Sequence, residues 1–204
     1  DYRFYLLDFE GQRVEAPKNK AKDIDLAIRQ NNLNCLRING YSLKRRLNFI
    51  ANISTDAAKL LLKEFNQTDW YLVKGLKSIY LHDQGNVKYE DPLGLGLKQA
   101  AIRYENSVVI SKSIFTSGYF ISNENWKIVH PLETEEKVGL LIHEVIQGIL
   151  NKTFYKRLYR SSLVRKLTRG LMGNEEDVLQ ACRDLNTILL KESLNCNNTV
   201  KNND

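Results

Sequence analysis

Short stretches of alternating hydrophobic and polar residues recur through the first two thirds of the chain, a pattern that favours β-strands. Turn signals divide these stretches at Glu10–Gly11, Asn39–Gly40, Gly75 and Glu105–Asn106. The pattern predicts two short strands at the start of the chain, strand-like stretches around Asn39–Gly40, a strand pair broken near Gly75, and a hairpin that turns at Glu105–Asn106. Together these segments predict a small twisted sheet.

A period close to that of an α-helix replaces this alternation in the last third of the chain, where it predicts three helices. The first covers about residues 134–151, with Thr134 as N-cap and acidic residues in its first turn. The second covers residues 161–172 and stops at a Gly-Asn pair, and the third covers residues 175–191. One earlier helix is predicted to begin at about Thr55.

Strands followed by helices indicate an α+β fold. We expect a small twisted sheet from the first two thirds of the chain to pack against a C-terminal group of three or more helices. Residues 1–192 are predicted to form a single domain, because no internal repeat or clear linker interrupts them. Residues 193–204 are polar and are predicted to form a flexible tail.

Composition supports a folded chain with a normal core. Of its 204 residues, 43% are hydrophobic and 26% are charged, which is not typical of disorder. No apolar run approaches the ~20 residues that span a bilayer, so no transmembrane segment is expected. Cys35, Cys182 and Cys196 are too few for a disulfide framework. Cys182 lies at helical spacing from hydrophobic neighbours and is predicted to be a buried thiol.

The net charge of +6 is unevenly distributed, since residues 145–174 contain no acidic residue. Guanidinium groups match phosphate and carboxylate in a bidentate way, so this stretch is a candidate anion-binding surface. A solvated basic face is the alternative. An anionic polymer or a protein is a more plausible partner than nucleic acid, because no recognised nucleic-acid-binding motif accompanies the charge. The candidate anion-binding residues are Arg157, Arg160, Arg165 and Arg169.

The helix predicted at residues 134–151 contains the main candidate for chemistry. Most of its hydrophobic residues fall on one broad side of the helix, whereas His143, Glu144 and Gln147 fall on the other. A histidine within the hydrophobic stripe would be a core residue. His143 is instead predicted to face water or a second surface such as a cleft.

The sequence from His143 to Gln147 differs at one position from the His-Glu-x-x-His pattern of zinc peptidases. In that pattern two histidines one turn apart bind the metal, and the glutamate acts as general base toward metal-bound water. Gln147 offers only an amide oxygen in place of the second imidazole. In an active site, His143 would bind zinc, Glu144 would be the general base, and Glu176 or His130 would supply a further ligand.

Residues 100–172 resemble zincin-like bacterial proteins, often exported, in which the helix reads His-Glu-x-x-Tyr or carries another residue in place of the second His. In that family the next helix begins with Ser-x-x-Arg, which corresponds here to Ser162 and Arg165. The resemblance implies a zincin-like fold, a relationship to zinc metallopeptidases and a peptide as partner. Because Gln147 replaces the second His, it also implies an altered or inactive metal site.

The first residue is Asp rather than Met, which suggests that a segment was removed from the N-terminus. A signal peptide is one candidate for that segment. Together with the resemblance, this favours a periplasmic or secreted location over a cytoplasmic one.

Three alternatives remain open for His143 and Glu144: a surface pair packed beneath a loop, a degenerate cleft without metal, and a functional metal site. Glu144 is also expected to pair with Arg165, which would make the Ser-x-x-Arg element structural. Gln147 is predicted to be solvated, with a hydrogen bond to a substrate as the alternative. The alternative function is a non-enzymatic binding or structural module that uses the basic helical surface of residues 155–169 against an acidic partner.

Overall fold

The computed structural model describes residues 2–6, 9, 14–17, 27–74, 76, 86–89, 97–121, 127–153 and 160–199. The helices in this part of the chain are α1 (Gln30–Leu36), α2 (Gly40–Ile53), α3 (Thr55–Gln67), α4 (Thr134–Asn151), α5 (Arg160–Met172) and α6 (Glu175–Thr199). The strands are β1 (Tyr2–Leu6), β2 (Asp69–Val73), β3 (Asn86–Tyr89), β4 (Leu97–Gln99), β5 (Ala101–Tyr104), β6 (Ser107–Ser111), β7 (Tyr119–Ile121) and β8 (Lys127–His130). A π-helical turn, Ser113–Ser117, follows β6.

The described strands form two sheets. One has the order β4-β3-β1-β8-β7, in which β1 and β8 are parallel and the other neighbours are antiparallel. The other has the order β2-β6-β5, in which β2 and β6 are parallel and β5 and β6 are antiparallel. Val108 and Ile110 of the central strand β6 are fully buried, so the smaller sheet contributes directly to the core.

The predicted α+β class is confirmed by this mixture of two sheets and several helices. The helices predicted to begin at about Thr55 and near residue 161 are confirmed as α3 and α5. Helices already occupy residues 30–67, so they are not confined to the C-terminal group that the sequence predicted. The predicted turn at Glu10–Gly11 and the predicted break at Gly75 lie outside the described residues.

The Asn39–Gly40 pair starts a helix, so the prediction of strand-like stretches around it is wrong. The Asn39 side chain accepts a hydrogen bond from the backbone N–H of Tyr41 at 3.0 Å and so caps α2. Leu43, Leu47 and Ile50 follow at helical spacing, and all three are buried. An Asn-Gly pair suits both a tight turn and a helix start, and here the hydrophobic period after it favours the helix.

The hairpin predicted to turn at Glu105–Asn106 is confirmed, since β5 ends at Tyr104 and β6 begins at Ser107. Glu105 has a φ of 49°, in the left-handed region that such tight turns require. Its carbonyl accepts a hydrogen bond from Arg103 Nη1 at 2.9 Å. The Arg103 side chain of β5 is therefore held against the backbone of the turn.

Helix α4 lies in the interior and packs against α2, α3, α5 and β5. Its buried residues lie on all its sides, which is typical of a helix enclosed by other elements. Its N-cap is Glu133 rather than the predicted Thr134. Glu133 and Glu136 form a capping box, in which Glu136 Oε2 accepts a hydrogen bond from the Glu133 backbone N–H at 3.2 Å.

Helix α6 begins at Glu175 as predicted but extends to Thr199 instead of ending near Lys191. A helix thus covers part of the predicted C-terminal tail. Asn174 and Asp177 cap its start by exchanging two hydrogen bonds between side chain and backbone, at 3.0 and 3.1 Å. In the described part of the chain, no helix combines the length and hydrophobicity that crossing a membrane requires.

Cys182 of α6 is buried, which confirms the prediction of a buried thiol. Burial raises the pKa of this thiol, and a hydrogen bond with Ser54 opposes the shift. The exposed Cys35 of α1 donates a hydrogen bond from Sγ to the Trp70 carbonyl at 2.9 Å. Both thiols therefore take part in local packing.

Candidate functional site

His143 and Glu144 lie in the middle of α4, and both are buried. His143 is 2% exposed and Glu144 is 0% exposed. The side of α4 that carries them therefore faces a second packed surface, one of the two outcomes that the sequence predicted. Helix α3 and strand β5 both pack against α4.

Arg103 of β5 brings a positive charge to Glu144. Its Nε lies 4.0 Å from Glu144 Oε2, and both side chains are fully buried. Its Nη1 lies 3.3 Å from Oε1 of Glu64, a residue of α3 that is itself almost fully buried. One guanidinium group therefore lies between two carboxylates that belong to different helices.

Hydrogen bonds to neutral groups fix the orientation of Arg103. Besides the Glu105 carbonyl, the guanidinium contacts Thr68, whose Oγ1 accepts a hydrogen bond from Nη2 at 3.1 Å. Thr68 Oγ1 in turn donates to the Glu64 carbonyl at 2.8 Å, near the end of α3. Nη1 and Nη2 of Arg103 therefore have acceptors, whereas the buried Nε has no hydrogen-bond partner among the described residues and contacts Glu144 only at ion-pair distance.

The charged cluster reaches solvent through Lys152, which directly follows α4. Its Nζ lies 2.5 Å from Glu64 Oε2, and its side chain is 50% exposed. Two cations, Lys152 and Arg103, thus accompany two carboxylates, Glu64 and Glu144, so the formal charges cancel. We term these four residues the Arg103 network.

Burial lowers the pKa of Arg103 below its usual range, while the charges of Glu144 and Glu64 and a hydrogen bond with Glu64 oppose the shift. A guanidinium group remains protonated at neutral pH in proteins. Glu144 therefore has a permanent positive charge beside it.

Gly148 of α4 provides the space that Arg103 occupies. A Cβ atom at position 148 would lie 2.6 Å from Arg103 Cζ, closer than Cβ atoms approach their neighbours. It would also collide with the Glu64 carboxylate. The Arg103–Glu64 pair therefore packs against the backbone of α4, one turn after Glu144.

The predicted zinc ligands lie on three different elements. His143 is buried in α4, His130 is half-buried at the end of β8, and Glu176 is exposed in the first turn of α6. Among the described residues, no group of three or more His, Cys, Asp or Glu side chains is arranged to hold a metal ion. The surroundings of Glu144 do not fit zinc either, because the Arg103 guanidinium, 4.0 Å away, would repel a divalent cation. Zinc binding stays a prediction.

Gln147, at the position of the second His in the peptidase motif, is half-buried. Its Oε1 atom is buried and accepts no hydrogen bond from the described residues. A buried amide oxygen without a donor costs free energy, so this position is not a freely solvated one. A role for Gln147 in substrate binding stays a prediction.

The predicted anion-binding surface lies only partly within the described structure. Arg165 is half-buried and Arg169 is exposed, both on α5. Arg157 lies outside the described residues, and so does the side chain of Arg160. The described part of the surface therefore consists of two arginines one turn apart.

Ion pairing reduces the net positive charge on α5. Lys166 Nζ lies 2.7 Å from Asp184 Oδ2 of α6, and this hydrogen bond lowers the pKa of Asp184 below its usual value.

Ser162, the first residue of the Ser-x-x-Arg element, is exposed. Because the described ion pair of Glu144 is with a residue of β5, the predicted pairing of Glu144 with Arg165 stays a prediction.

The sequence interpretation missed Arg103, which pairs with Glu144, and Glu64, which pairs with Arg103, although a signal for both was present. Glu64 lies at helical spacing from Ala57 and Leu61, on the buried side of α3. Arg103 lies two residues after Ala101 in β5, so the two side chains point to the same side of the sheet. Ala101 is buried, which places Arg103 on a buried side. Charged residues at core positions usually indicate a buried ion pair, so these two positions together predict a link between α3 and β5.

No protein-family model matches the chain, and neither a curated protein nor a solved structure matches it. The chemistry of the described side chains is therefore the basis on which a function can be assigned.

Proposed function

We propose that this chain is an exported zincin-like protein related to zinc metallopeptidases, with an altered or inactive metal site. The observation that carries the proposal is the Arg103 network, in which the glutamate at the general-base position is fully buried against an arginine. A general base must come within hydrogen-bond reach of the group whose proton it takes. Glu144 instead contributes to the packing of α4 against β5.

The order of the elements supports the zincin-like part of the proposal. The hairpin β5–β6, whose β5 is an edge strand of the smaller sheet, comes before α4 along the chain with β7 and β8 between them, and α5 contains Ser162 and Arg165 near its start. This order resembles that of zincin domains, in which an edge strand precedes the active-site helix. The His-Glu pair of α4 is then what remains of a metal-binding helix.

Two residues support the altered or inactive part of the proposal. Gln147 replaces an imidazole by an amide oxygen, which is a poor donor to zinc. Arg103 places a guanidinium beside the glutamate that would polarise the metal-bound water. Both changes weaken a zinc site, the first by removing a ligand and the second by electrostatic repulsion.

The proposal includes a periplasmic or secreted location and a peptide or an anionic polymer as partner. Both are supported by the resemblance of residues 100–172 to exported zincin-like proteins and, for the polymer, by the basic residues of α5.

The experiment that tests this function is the zinc content of protein purified without chelator and without a metal-affinity step, beside a His143→Ala variant. We expect no stoichiometric zinc in either protein, and no rise in melting temperature when zinc is added to the wild type. Stoichiometric zinc that is lost in His143→Ala would overturn the altered-site proposal and establish a working metal site.

A gain-of-function variant tests the relationship to zinc peptidases. Gln147→His restores two imidazoles one turn apart on α4, and we expect this variant to bind zinc measurably but weakly, because the Arg103 guanidinium remains beside Glu144. The matched control, Gln147→His combined with His143→Ala, should lose that zinc again. A folded Gln147→His variant that binds no zinc would count against the zincin-like relationship.

The alternative function, a binding module that uses the basic surface of α5, has less support. The Lys166–Asp184 pair, at 2.7 Å, neutralises the one basic residue that lies between Arg165 and Arg169 in the sequence. A cationic binding surface would lose affinity steeply with added salt. Salt-independent behaviour of the protein toward an anionic polymer such as heparin would exclude this alternative.

A further inference from the structure

A second buried arginine, Arg46 of α2, lies outside the Arg103 network and is 1% exposed. Its Nη1 donates a hydrogen bond to the Gly173 carbonyl, just after α5, at 3.0 Å. Its Nη2 donates to the Glu15 carbonyl, also at 3.0 Å. Burial lowers the pKa of Arg46 to about 10, so it remains charged at neutral pH. Arg46 therefore joins α2 both to the end of α5 and to the N-terminal part of the chain.

In the N-terminal part of the chain, Arg46 binds the backbone of the segment 14–17. This segment forms neither a helix nor a strand. The neighbouring Arg45 donates to the Pro17 carbonyl, and Arg46 donates to that of Glu15. Carbonyls two residues apart point the same way in an extended chain. Two adjacent arginines therefore both donate hydrogen bonds to the backbone of this segment. We term residues 14–17 the resident segment.

Two cavities border the resident segment, and the linings of both include Val14, Glu15 and Ala16. The larger, of about 770 Å³, extends toward the α5–α6 turn and has Phe49 and Met172 in its lining. The smaller, of about 570 Å³, extends toward the start of α4. The resident segment therefore lies between the two cavities, and we term its seat together with both cavities the groove.

The chemistry of this groove favours a peptide over a small anion. Both terminal nitrogens of Arg46 already donate to carbonyls. Hydrophobic side chains with a few directed polar groups are typical of pockets that accept organic side chains. The rim of the larger cavity mixes both signs of charge, with acidic Glu175, Asp177 and Asp184 beside basic Lys166 and Arg169.

We propose that this groove is a peptide-binding site for a partner protein that presents an extended segment with small or apolar side chains. The Val, Ala and Pro of the resident segment show which side chains the groove accepts, and Arg45 and Arg46 supply the donors to the peptide backbone. Recognition of an extended peptide through its backbone, with pockets for its side chains, is a common mode of binding. The proposal does not depend on the metal motif of α4.

The resident segment competes with such a partner from within the same chain. A tethered segment has an effective concentration of about 1 mM or more at its own site, so an untethered peptide of equal intrinsic affinity is excluded. The partner therefore binds only when the resident segment leaves the groove.

The test uses a full-length variant in which Val14→Gly, Glu15→Ser, Ala16→Gly and Pro17→Ser remove the side chains of the resident segment. The probe is a fluorescein-labelled peptide with the chain's own residues 13–18, and its fluorescence anisotropy is measured. We expect this opened variant to bind the peptide at least tenfold more tightly than the wild type does. Adding Arg45→Ala should weaken binding by about tenfold, because it removes the donor to the Pro17 carbonyl.

A peptide of the same composition in scrambled order is the control and should not bind. The proposal is overturned when the opened variant retains its helical content and melting temperature but does not bind, or when it binds both peptides equally. If the variant with all four substitutions does not fold, Pro17→Gly alone serves as the test. Glycine makes the backbone of the resident segment more flexible when it is unbound, so this variant should still bind the peptide more tightly than the wild type does. Equal binding by Pro17→Gly and wild type would then contradict the proposal.

Discussion

Arg103 holds Glu64 and Glu144 in a part of the molecule where neither carboxylate is open to water. The effective desolvation penalty for a buried ion is several kcal/mol, of the same order as the attraction to its partner. The ion pairs of Arg103 with Glu64 and Glu144 therefore contribute little net stability as long as all three residues are present. The energetic importance of Arg103 lies in what its removal would leave behind, namely two buried carboxylates without their guanidinium.

Arg103→Met should accordingly destabilise the protein by about 3–5 kcal/mol at pH 7, because Glu144 stays buried without the guanidinium, although Glu64 keeps its ion pair with Lys152. Urea unfolding measures the change. The matched control is Arg29→Met, which removes an exposed ion pair with Asp69 whose side chains are 47% and 56% exposed. That change should cost about 1 kcal/mol or less. Equal losses for the two variants would show that burial does not determine the role of Arg103.

Gly148→Ala should also destabilise the protein, although alanine is the better helix former by about 1 kcal/mol. The new Cβ atom would lie 2.6 Å from Arg103 Cζ, and overpacking of this kind costs about 1–3 kcal/mol. The free energy of unfolding from urea titration is the measurement. In an Arg103→Ala background the penalty should shrink. A net stabilisation by Gly148→Ala alone would contradict the packing described here.

At the scale of elements, α2 shows how one pair of residues can favour two structures. Asn39 caps the helix through a hydrogen bond to the Tyr41 N–H, yet the same Asn-Gly pair is a common hairpin turn. The helix follows from the spacing of Leu43 and Leu47, which matches a helix and not a strand. Whether an Asn-Gly pair starts a helix or forms a hairpin turn therefore depends on the spacing of the hydrophobic residues after it as well as on its capping.

Asn39→Ala should reduce stability by about 1 kcal/mol, because the first turn of α2 loses the acceptor for a backbone N–H. Asn39→Asp should retain most of the stability, since Asp is an equally good N-cap. The control is Asn186→Ala on the exposed side of α6, which is expected to be neutral or slightly stabilising. Thermal unfolding of the three variants separates the cap from the loss of an exposed amide.

The elements that could be predicted from the sequence share two features, a regular period and clear end signals. Helices α4 and α5 and the β5–β6 hairpin have both, and the sequence predicts them close to their observed bounds, as it does the start of α3. The side of α4 that carries Glu144 could be identified as a second face, and Glu64 and Arg103 could be recognised as charged residues at core positions, but their meeting with Glu144 could not be predicted. Glu64 and Arg103 come from distant parts of the chain, and only the packed fold brings them to Glu144.

At the scale of the whole molecule, the pKa values of two acidic side chains are shifted in opposite directions. Burial raises the pKa of Glu135 above 4.5, and the charges of Arg46 and Arg45 oppose the shift. The pKa of Asp184 is lowered from 3.8, mainly by its hydrogen bond with Lys166. The two carboxylates should therefore contribute to acid stability with opposite signs.

Glu135→Gln should raise the melting temperature at pH 7 and leave it unchanged near pH 3. The pKa of Glu135 in the folded protein exceeds the unfolded value of 4.5, so stability is greatest below that value and declines as pH rises through the folded pKa. Glutamine removes this decline because it does not ionise. A lower melting temperature at pH 7 would show that attraction to Arg45 and Arg46 outweighs desolvation.

Asp184→Asn is the companion variant with the opposite expectation. The lowered pKa of Asp184 stabilises the folded state above the unfolded value of 3.8, and this contribution is lost as pH falls through the folded pKa. The variant should therefore unfold more easily at pH 7, by at most about 1 kcal/mol for so exposed a pair. The difference from wild type should disappear in strong acid.

The position of Arg103 between α3 and α4 also determines how the molecule opens. Separating β5 from either helix exposes the same guanidinium and leaves a carboxylate behind, so the three elements should open as one cooperative unit. Their backbone amide protons should exchange with deuterium at a common, slow rate, well after those of the α5–α6 turn. Because Arg103 contacts residues far from it along the chain, these contacts close long loops, and we expect them to form late in folding.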